Sequence, residues 1–372
     1  MGDVVMLGPR KLARFVSPGL GTLLVACLAL SRPVCGDEPR IEIKPFGRLP
    51  NGAESPLYVI HNGAQLELLA MPFGATIVTV RTPDRDGRWA DVTLRLPTFD
   101  DYWEKRTVLG TIIGRYANRI AGACFTIDGE AYRLAKNSGP NHIHGGREGF
   151  HRKLWHVAEV REPERTGVRL SYTSADGEEG YPGTLKAEVI YAVTPKNELI
   201  MEYRATTDKA THVNLTNHAY WNLSGEPNQS VLNHELTLWA DEYLPTDSAL
   251  IPAGDPVSVE GTPLDFRRPT RIGARIDDLK TGYDHCFVLR KEPGQRLALA
   301  ARLKDPGSGR AMEVFTTQPG MQVYSDGARR KAICLETQHY PDSPNQPRFP
   351  STLLRPGETY RHTTIHRFYV EK

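Results

Sequence analysis

Apolar and polar side chains alternate with a period of two along much of this chain, and that rhythm commits it to strands. Leu66, Leu68 and Ala70 alternate with Gln65 and Glu67, Val168, Leu170 and Tyr172 with Arg169 and Ser171, and Leu236, Leu238 and Ala240 with Glu235 and Thr237. A strand turns successive side chains to opposite faces, so each run reads as a half-buried strand. Turn-forming clusters separate them: Pro83-Asp84-Arg85-Asp86-Gly87, Ile127-Asp128-Gly129, Ala175-Asp176-Gly177 and Asp305-Pro306-Gly307, in a chain with 33 Gly and 28 Pro among 372 residues. Helical periodicity is confined to 99–109. The expected fold is all-β, a large antiparallel β-sandwich with few short helices.

The N-terminus does not share this rhythm. Arg10, Lys11 and Arg14 precede an apolar run over 20–30, which breaks at Ser31, Arg32 and Pro33 before small residues near Gly36 and the acidic Asp37-Glu38. That is the order of a secretory signal peptide, so residues 1–36 are expected to be cleaved and the protein exported, to a periplasm or to the medium. Two other readings stay open. One is a retained anchor, although the run is shorter than the ~17 residues of a spanning helix; the other is a lipoprotein signal ending at Leu24-Val25-Ala26-Cys27. No linker, repeat or low-complexity segment interrupts Arg40 to Lys372, so 37–372 is expected to form a single domain.

Charge and cysteine content exclude several functions. Lys plus Arg (46) nearly balances Asp plus Glu (44), for a net charge of +2; losing the net +3 of residues 1–36 takes this to −1. No nucleic-acid footprint is present, and after signal cleavage no membrane span is expected. The mature chain keeps Cys124, Cys286 and Cys334, which admit at most one disulfide and equally three free thiols.

Five segments carry groups suited to chemistry. Residues 213–223 read VNLTNHAYWNL, and strand parity sets Asn214, Thr216, His218, Tyr220 and Asn222 on one face, a row of hydrogen-bonding groups with an aromatic plate, as a sugar's hydroxyls require. NHIHGG at 141–146 puts His142 and His144 beside glycines that admit close backbone approach; the pair reads as half a sugar site, or as metal ligands joined by His218 or Glu336. GRYANRI at 114–120 offers Arg115 and Arg119 around Asn118, and strand parity alone does not say which arginine faces a ligand. GYDH at 282–285 and LETQ at 335–338 embed Asp284 and Glu336 among apolar residues. Lost solvation should lift such a carboxyl from its usual ~4.3 toward the range of a general base.

Taken with DGEEGYPG at 176–183, TPLDF at 262–266, TQPG at 317–320 and PDSPNQPRF at 341–349, these motifs resemble, in order and spacing, the aldose 1-epimerase (galactose mutarotase) family, over about 58–370. The resemblance implies a galactose mutarotase-like supersandwich whose groove binds a free aldose such as glucose or galactose and interconverts its α and β anomers without metal or organic cofactor. It implies Glu336 as general base and His218 as general acid, so that a carboxylate and an imidazolium flank the anomeric centre. It also selects Asn118, Arg119, His144, Tyr220, Asp284 and Gln322 as substrate-binding residues. A monomer or weak dimer is expected. One departure is the short connection from Gln322 to Glu336, YSDGARRKAIC at 324–334, which lowers one wall of the expected groove.

A noncatalytic carbohydrate-binding protein on the same fold is the alternative, because fold does not fix function; the presence of both Glu336 and His218 argues against it. Epimerisation of a hexose 6-phosphate is disfavoured by the export signal. A metal-dependent isomerase would reveal itself by sensitivity to chelators.

Overall fold

The structure, a computed structural model, describes residues 38–327 and 329–372. The expected signal segment and its cleavage site lie outside the described residues.

Three antiparallel sheets carry the architecture. A meander of Arg40–Arg48, Glu54–His61, Glu67–Met71, Thr76–Pro83 and Trp89–Asp91 forms the first. The second has nine strands in the order His156–Glu162, Arg165–Ser174, Leu185–Val193, Glu198–Thr207, Tyr360–Val370, Arg310–Thr316, Ala298–Lys304, Glu235–Leu238 and Thr270–Arg271. The third orders Val257–Ser258, Ala240–Tyr243, Asp284–Leu289, Gly320–Tyr324 and Cys334–Gln338. Their apolar faces meet in one contiguous core: Leu68, Ile77 and Val80 from the first, Val189, Leu199 and Val314 from the second, and Phe287, Met321, Val323 and Leu335 from the third. The alternation read from the sequence is thus the alternation between this core and the opposite sheet faces.

Among the described residues there is one α-helix, Phe99–Lys105, started by the Thr98 hydroxyl accepting from Asp101 N at 3.2 Å. It stops short of Leu109 because Arg106 takes the left-handed conformation, with φ at 48°.

The third sheet builds a ledge. Register sets Cys286, Gln322 and Glu336 abreast, and Asp284, Tyr324 and Cys334 abreast one pleat away. With period two, all six side chains share the face turned away from Phe287, Met321, Val323 and Leu335. Buried hydroxyls anchor the ledge from below: Thr337 Oγ1 lies 2.6 Å from Thr364 Oγ1, itself 3.1 Å from Thr316 Oγ1 in the nine-stranded sheet.

The choice between the two arginines of GRYANRI is settled by burial. Arg115 is 2% exposed and donates to Ser174 Oγ (2.8 Å), Ser174 O (3.0 Å), Ala175 O (2.6 Å) and Pro182 O (2.9 Å). It is a structural clamp on the DGEEGYPG segment. Arg115→Ala strands these carbonyls, and with charged hydrogen bonds worth ~1.5–3 kcal/mol each and not additive, chemical denaturation should register a loss of about 3 kcal/mol. A loss below about 1 kcal/mol would contradict the clamp.

Candidate active site

Above the ledge lies a groove of about 260 Å³ lined by Asn118, Arg119, His144, His218, Tyr220, Asp284 and Glu336, together with Val108, Ile143 and Tyr324. The structure therefore gathers every residue expected at the site except Gln322, which sits one step behind, 4% exposed, with Nε2 donating to Asp284 Oδ1 at 2.6 Å. A wider recess of about 550 Å³ along Ile43, Lys44, Phe46 and Glu54 carries no comparable convergence of titratable groups.

Glu336 is 2% exposed. Its Oε1 lies 3.6 Å from His218 Nε2, and its Oε2 has no hydrogen-bond partner. Burial, reinforced by the neighbouring Asp284 charge and partly offset by Arg119, pushes its pKa up to about 8. His218 is held by backbone bonds from His218 N to Thr111 O (3.0 Å) and from Gly110 N to His218 O (2.8 Å). Tyr220 stacks on its ring at 5.0 Å and 14°, and His144 meets it edge-on at 5.4 Å. Burial drives the His218 pKa down to about 4. Both shifts run in the direction of an uncharged pair, a protonated Glu336 beside a neutral His218. Desolvation penalises the carboxylate and the imidazolium at once.

His144 faces the same space from a backbone with φ at 53°. Its Nδ1 accepts from Asn118 N at 3.2 Å, which makes Nε2 the protonated, donating nitrogen. The following glycine is required: a Cβ on Gly145 would sit 1.7 Å from Gly114 O. Asn118 Oδ1 accepts from Arg119 N (2.9 Å) and more loosely from Arg119 Nη1 (3.4 Å), and Arg119 Nη2 stands 3.9 Å from Asp284 Oδ2. Donors and acceptors thus alternate around the groove, with the Glu336–His218 pair beneath them.

Two expectations need correction. The polar row of 213–223 does not line the groove as a whole, since Asn214, Thr216 and Asn222 are buried. Asn214 Nδ2 donates to Ala117 O and His339 O, and Asn222 Nδ2 donates to Glu226 O, Gln229 O and Lys331 O. Only residues 216–217 pair as a regular strand, so parity does not run through the segment, and the asparagines tie loops together. The histidines of NHIHGG also part company: His142 is locked through Nδ1 to Ala135 O and through Nε2 to Tyr181 OH, both at 2.8 Å. Among the described residues no cluster of three His, Cys, Asp or Glu side chains is arranged to hold a metal ion, and the three cysteines are free thiols.

Val108, Ile143 and Tyr324 escaped the sequence reading. Tyr324 was within reach of it, because two residues on from Gln322 in one strand means the same face.

Fold and groove together define a β-sandwich protein that presents a paired carboxyl and imidazole to a small polar ligand. Comparison with known proteins narrows this class. Residues 56–367 match the family described as Aldose 1-epimerase, and the chain belongs to that family. It is 42% identical over 340 residues to the galactose mutarotase of Bos taurus, covering 87% of this chain and 97% of that protein. It is 38% identical over 342 residues to the aldose 1-epimerase of Escherichia coli K12, with the same coverage of 87% and 97%. Among solved structures, the galactose 1-epimerase of Lactobacillus acidophilus NCFM superposes with a TM-score of 0.78 at 28% identity, covering 90% of this chain and 100% of that one.

The burial of Glu336 has a measurable signature. With its pKa raised from 4.5 to about 8, the folded protein keeps a proton that the unfolded chain has lost, so stability drains away as pH rises from 4.5 through about 8. Glu336→Gln removes that titration and should melt above wild type near pH 8, by a margin that shrinks toward about pH 5. A variant destabilised equally at both pH values would contradict it.

Proposed function

We propose that this protein is an aldose 1-epimerase that interconverts the α and β anomers of free aldoses such as glucose or galactose. The observation that carries the proposal is the 3.6 Å approach of Glu336 Oε1 to His218 Nε2 at the base of a groove rimmed by Asn118, Arg119, His144 and Asp284. The Bos taurus and Escherichia coli relatives carry the names galactose mutarotase and aldose 1-epimerase. Nothing in these comparisons supports a noncatalytic binding protein.

Opening a cyclic hemiacetal takes the proton from the C1 hydroxyl and puts one on the ring oxygen. A pair holding one proton supplies both needs. With the proton on His218, Glu336 is the base for the C1 hydroxyl and His218 the acid for the ring oxygen. After opening, Glu336 holds the proton and His218 is neutral, which is the distribution that burial favours in this groove. The groove is therefore matched to the state that ring opening creates rather than to the cyclic sugar. Rotation about C1–C2 and closure on the other face return both protons, so no covalent intermediate is required. The donating Nε2 of His144 and the Arg119 guanidinium serve sugar oxygens, Asp284 accepts from sugar hydroxyls, Asn118 orients Arg119, and Tyr220 holds the plane of His218.

Glu336→Gln preserves shape but cannot take the proton, so polarimetry of anomer interconversion should show kcat lower by roughly 10² to 10⁴ while sugar binding survives. The wild-type kcat/KM should be bell-shaped. Toward about pH 4 a second proton enters the pair and no base is left; toward about pH 8 the only proton departs and no acid is left. A folded, sugar-binding Glu336→Gln within a few-fold of wild type would overturn the mechanism and make Asp284 the next candidate base.

The same reading includes export. The signal-type order of residues 1–36 supports a mature chain of 37–372 outside the cytoplasm; a single domain working as a monomer or weak dimer completes the proposal. Mass spectrometry of the native exported protein should find its N-terminus near Asp37. An intact Met1 in that fraction would refute cleavage, and accumulation in the cytoplasm would refute export.

A further inference from the structure

Two side-chain oxygens on the ledge are buried without a hydrogen-bond partner, Oε2 of Glu336 and Oε1 of Gln322 just behind the groove. Antiparallel register puts their residues directly opposite each other, where Cβ atoms are ~4.5–5.5 Å apart and long side chains meet. A carboxylate and an amide carbonyl repel there, because both only accept. A protonated carboxyl donates to the carbonyl and satisfies both.

The orientation of the amide is decided by its other end. Gln322 Nε2 donates to Asp284 Oδ1 at 2.6 Å, and a carboxylate accepts without donating, so the NH₂ must face Asp284. Gln322 lies on the strand between those of Asp284 and Glu336, which leaves its carbonyl to the Glu336 side.

We propose that Gln322 is a positioning residue for Glu336: its carbonyl accepts the hydrogen bond of the protonated Glu336 carboxyl, so that the row Glu336–Gln322–Asp284 holds the proton after the sugar ring opens. The proposal rests on Glu336 being the base, and it gives Gln322 a task other than the direct sugar contact expected from the sequence. The row also links the hydroxyl-binding Asp284 to the proton. A hydroxyl drawing on the Asp284 carboxylate is felt by the amide and through it by Glu336. Other groups bear on the same proton: His218 across the groove, Arg119 and Asp284 at the rim, the Cys286 and Cys334 thiols on the same sheet face, and the Tyr220 phenol. Burial pushes both thiols and the phenol up, so they stay neutral when Glu336 titrates.

Infrared difference spectroscopy of the mature protein, titrated from acid to alkali, tests this. The carbonyl stretch of protonated Glu336 is identified by its loss in Glu336→Gln, and in wild type it should fall in the hydrogen-bonded range. In Gln322→Met, which keeps the volume but has no acceptor, the band should move to higher frequency. Its midpoint should drop by about one pH unit, a tenfold change in proton affinity, and the alkaline limb of kcat/KM should follow. A wild-type band at the frequency of a free carboxyl, or a Gln322→Met band unchanged in frequency and midpoint, would overturn the proposal, and the first result needs no variant to fold. The band reports the hydrogen bond whether or not Glu336 is the base, whereas turnover of Glu336→Gln reports the base, so the two failures are separable.

Discussion

Holding the Glu336 carboxyl away from water, beside the Gln322 amide and the Cys334 thiol on a sheet face, is unfavourable to its charge and leaves the protein two ways to relieve it: keep the carboxyl protonated, or bring a partner that compensates the charge. Both are built in. Burial pushes the carboxyl pKa up and so favours its protonated form, and His218 stands 3.6 Å away as the proposed partner for that proton. His218 is itself too buried to hold a charge comfortably, with its pKa down at about 4. Each group is thus a poor home for charge, and moving the proton from Glu336 to His218 charges both at once, so burial favours the uncharged pair.

The rest of the fold serves this arrangement by removing freedom. The ledge cannot slip by one residue without sending Glu336 into the core and Leu335 into the groove. The Thr337–Thr364–Thr316 hydroxyl row fastens the ledge strand to the nine-stranded sheet, whose neighbouring strands Tyr360–Val370 and Arg310–Thr316 carry two of those three hydroxyls. Opposite, His218 is tied to the Gly110–Thr111 backbone and covered by Tyr220, so its ring plane is set before a ligand arrives. Arg115 does for the DGEEGYPG segment what the hydroxyls do for the ledge. That segment in turn supports the loop of His144, with Glu179 Oε1 accepting from Glu148 N at 2.7 Å.

How much of this was legible in the sequence depended on whether the deciding contacts were local. The apolar neighbours of Glu336 in LETQ are local, and they rightly pointed to a desolvated carboxyl, whereas its sharing a face with Asp284 is set by strand register. Motif resemblance carried most of the site, and the family match agrees with it. Parity misled where strands were absent. In VNLTNHAYWNL the fates of Asn214 and Asn222 are set by carbonyls at His339 and Lys331, more than a hundred residues away in the chain. Similarly, Arg115 and Arg119 are indistinguishable until Ser174 and Pro182 come to enclose the first. The resting place of the proton was also hidden, because it depends on how completely both partners of a pair are buried.

That resting place is the central claim, and nuclear magnetic resonance can observe it. Ring nitrogen shifts of His218 and the side-chain carboxyl carbon of Glu336, assigned by single substitution, would be followed in the sugar-free protein from about pH 5 to about pH 9. The account predicts a neutral His218 ring throughout and a Glu336 carboxyl that loses its proton only near about pH 8. An imidazolium facing an ionised carboxylate at neutral pH would contradict it.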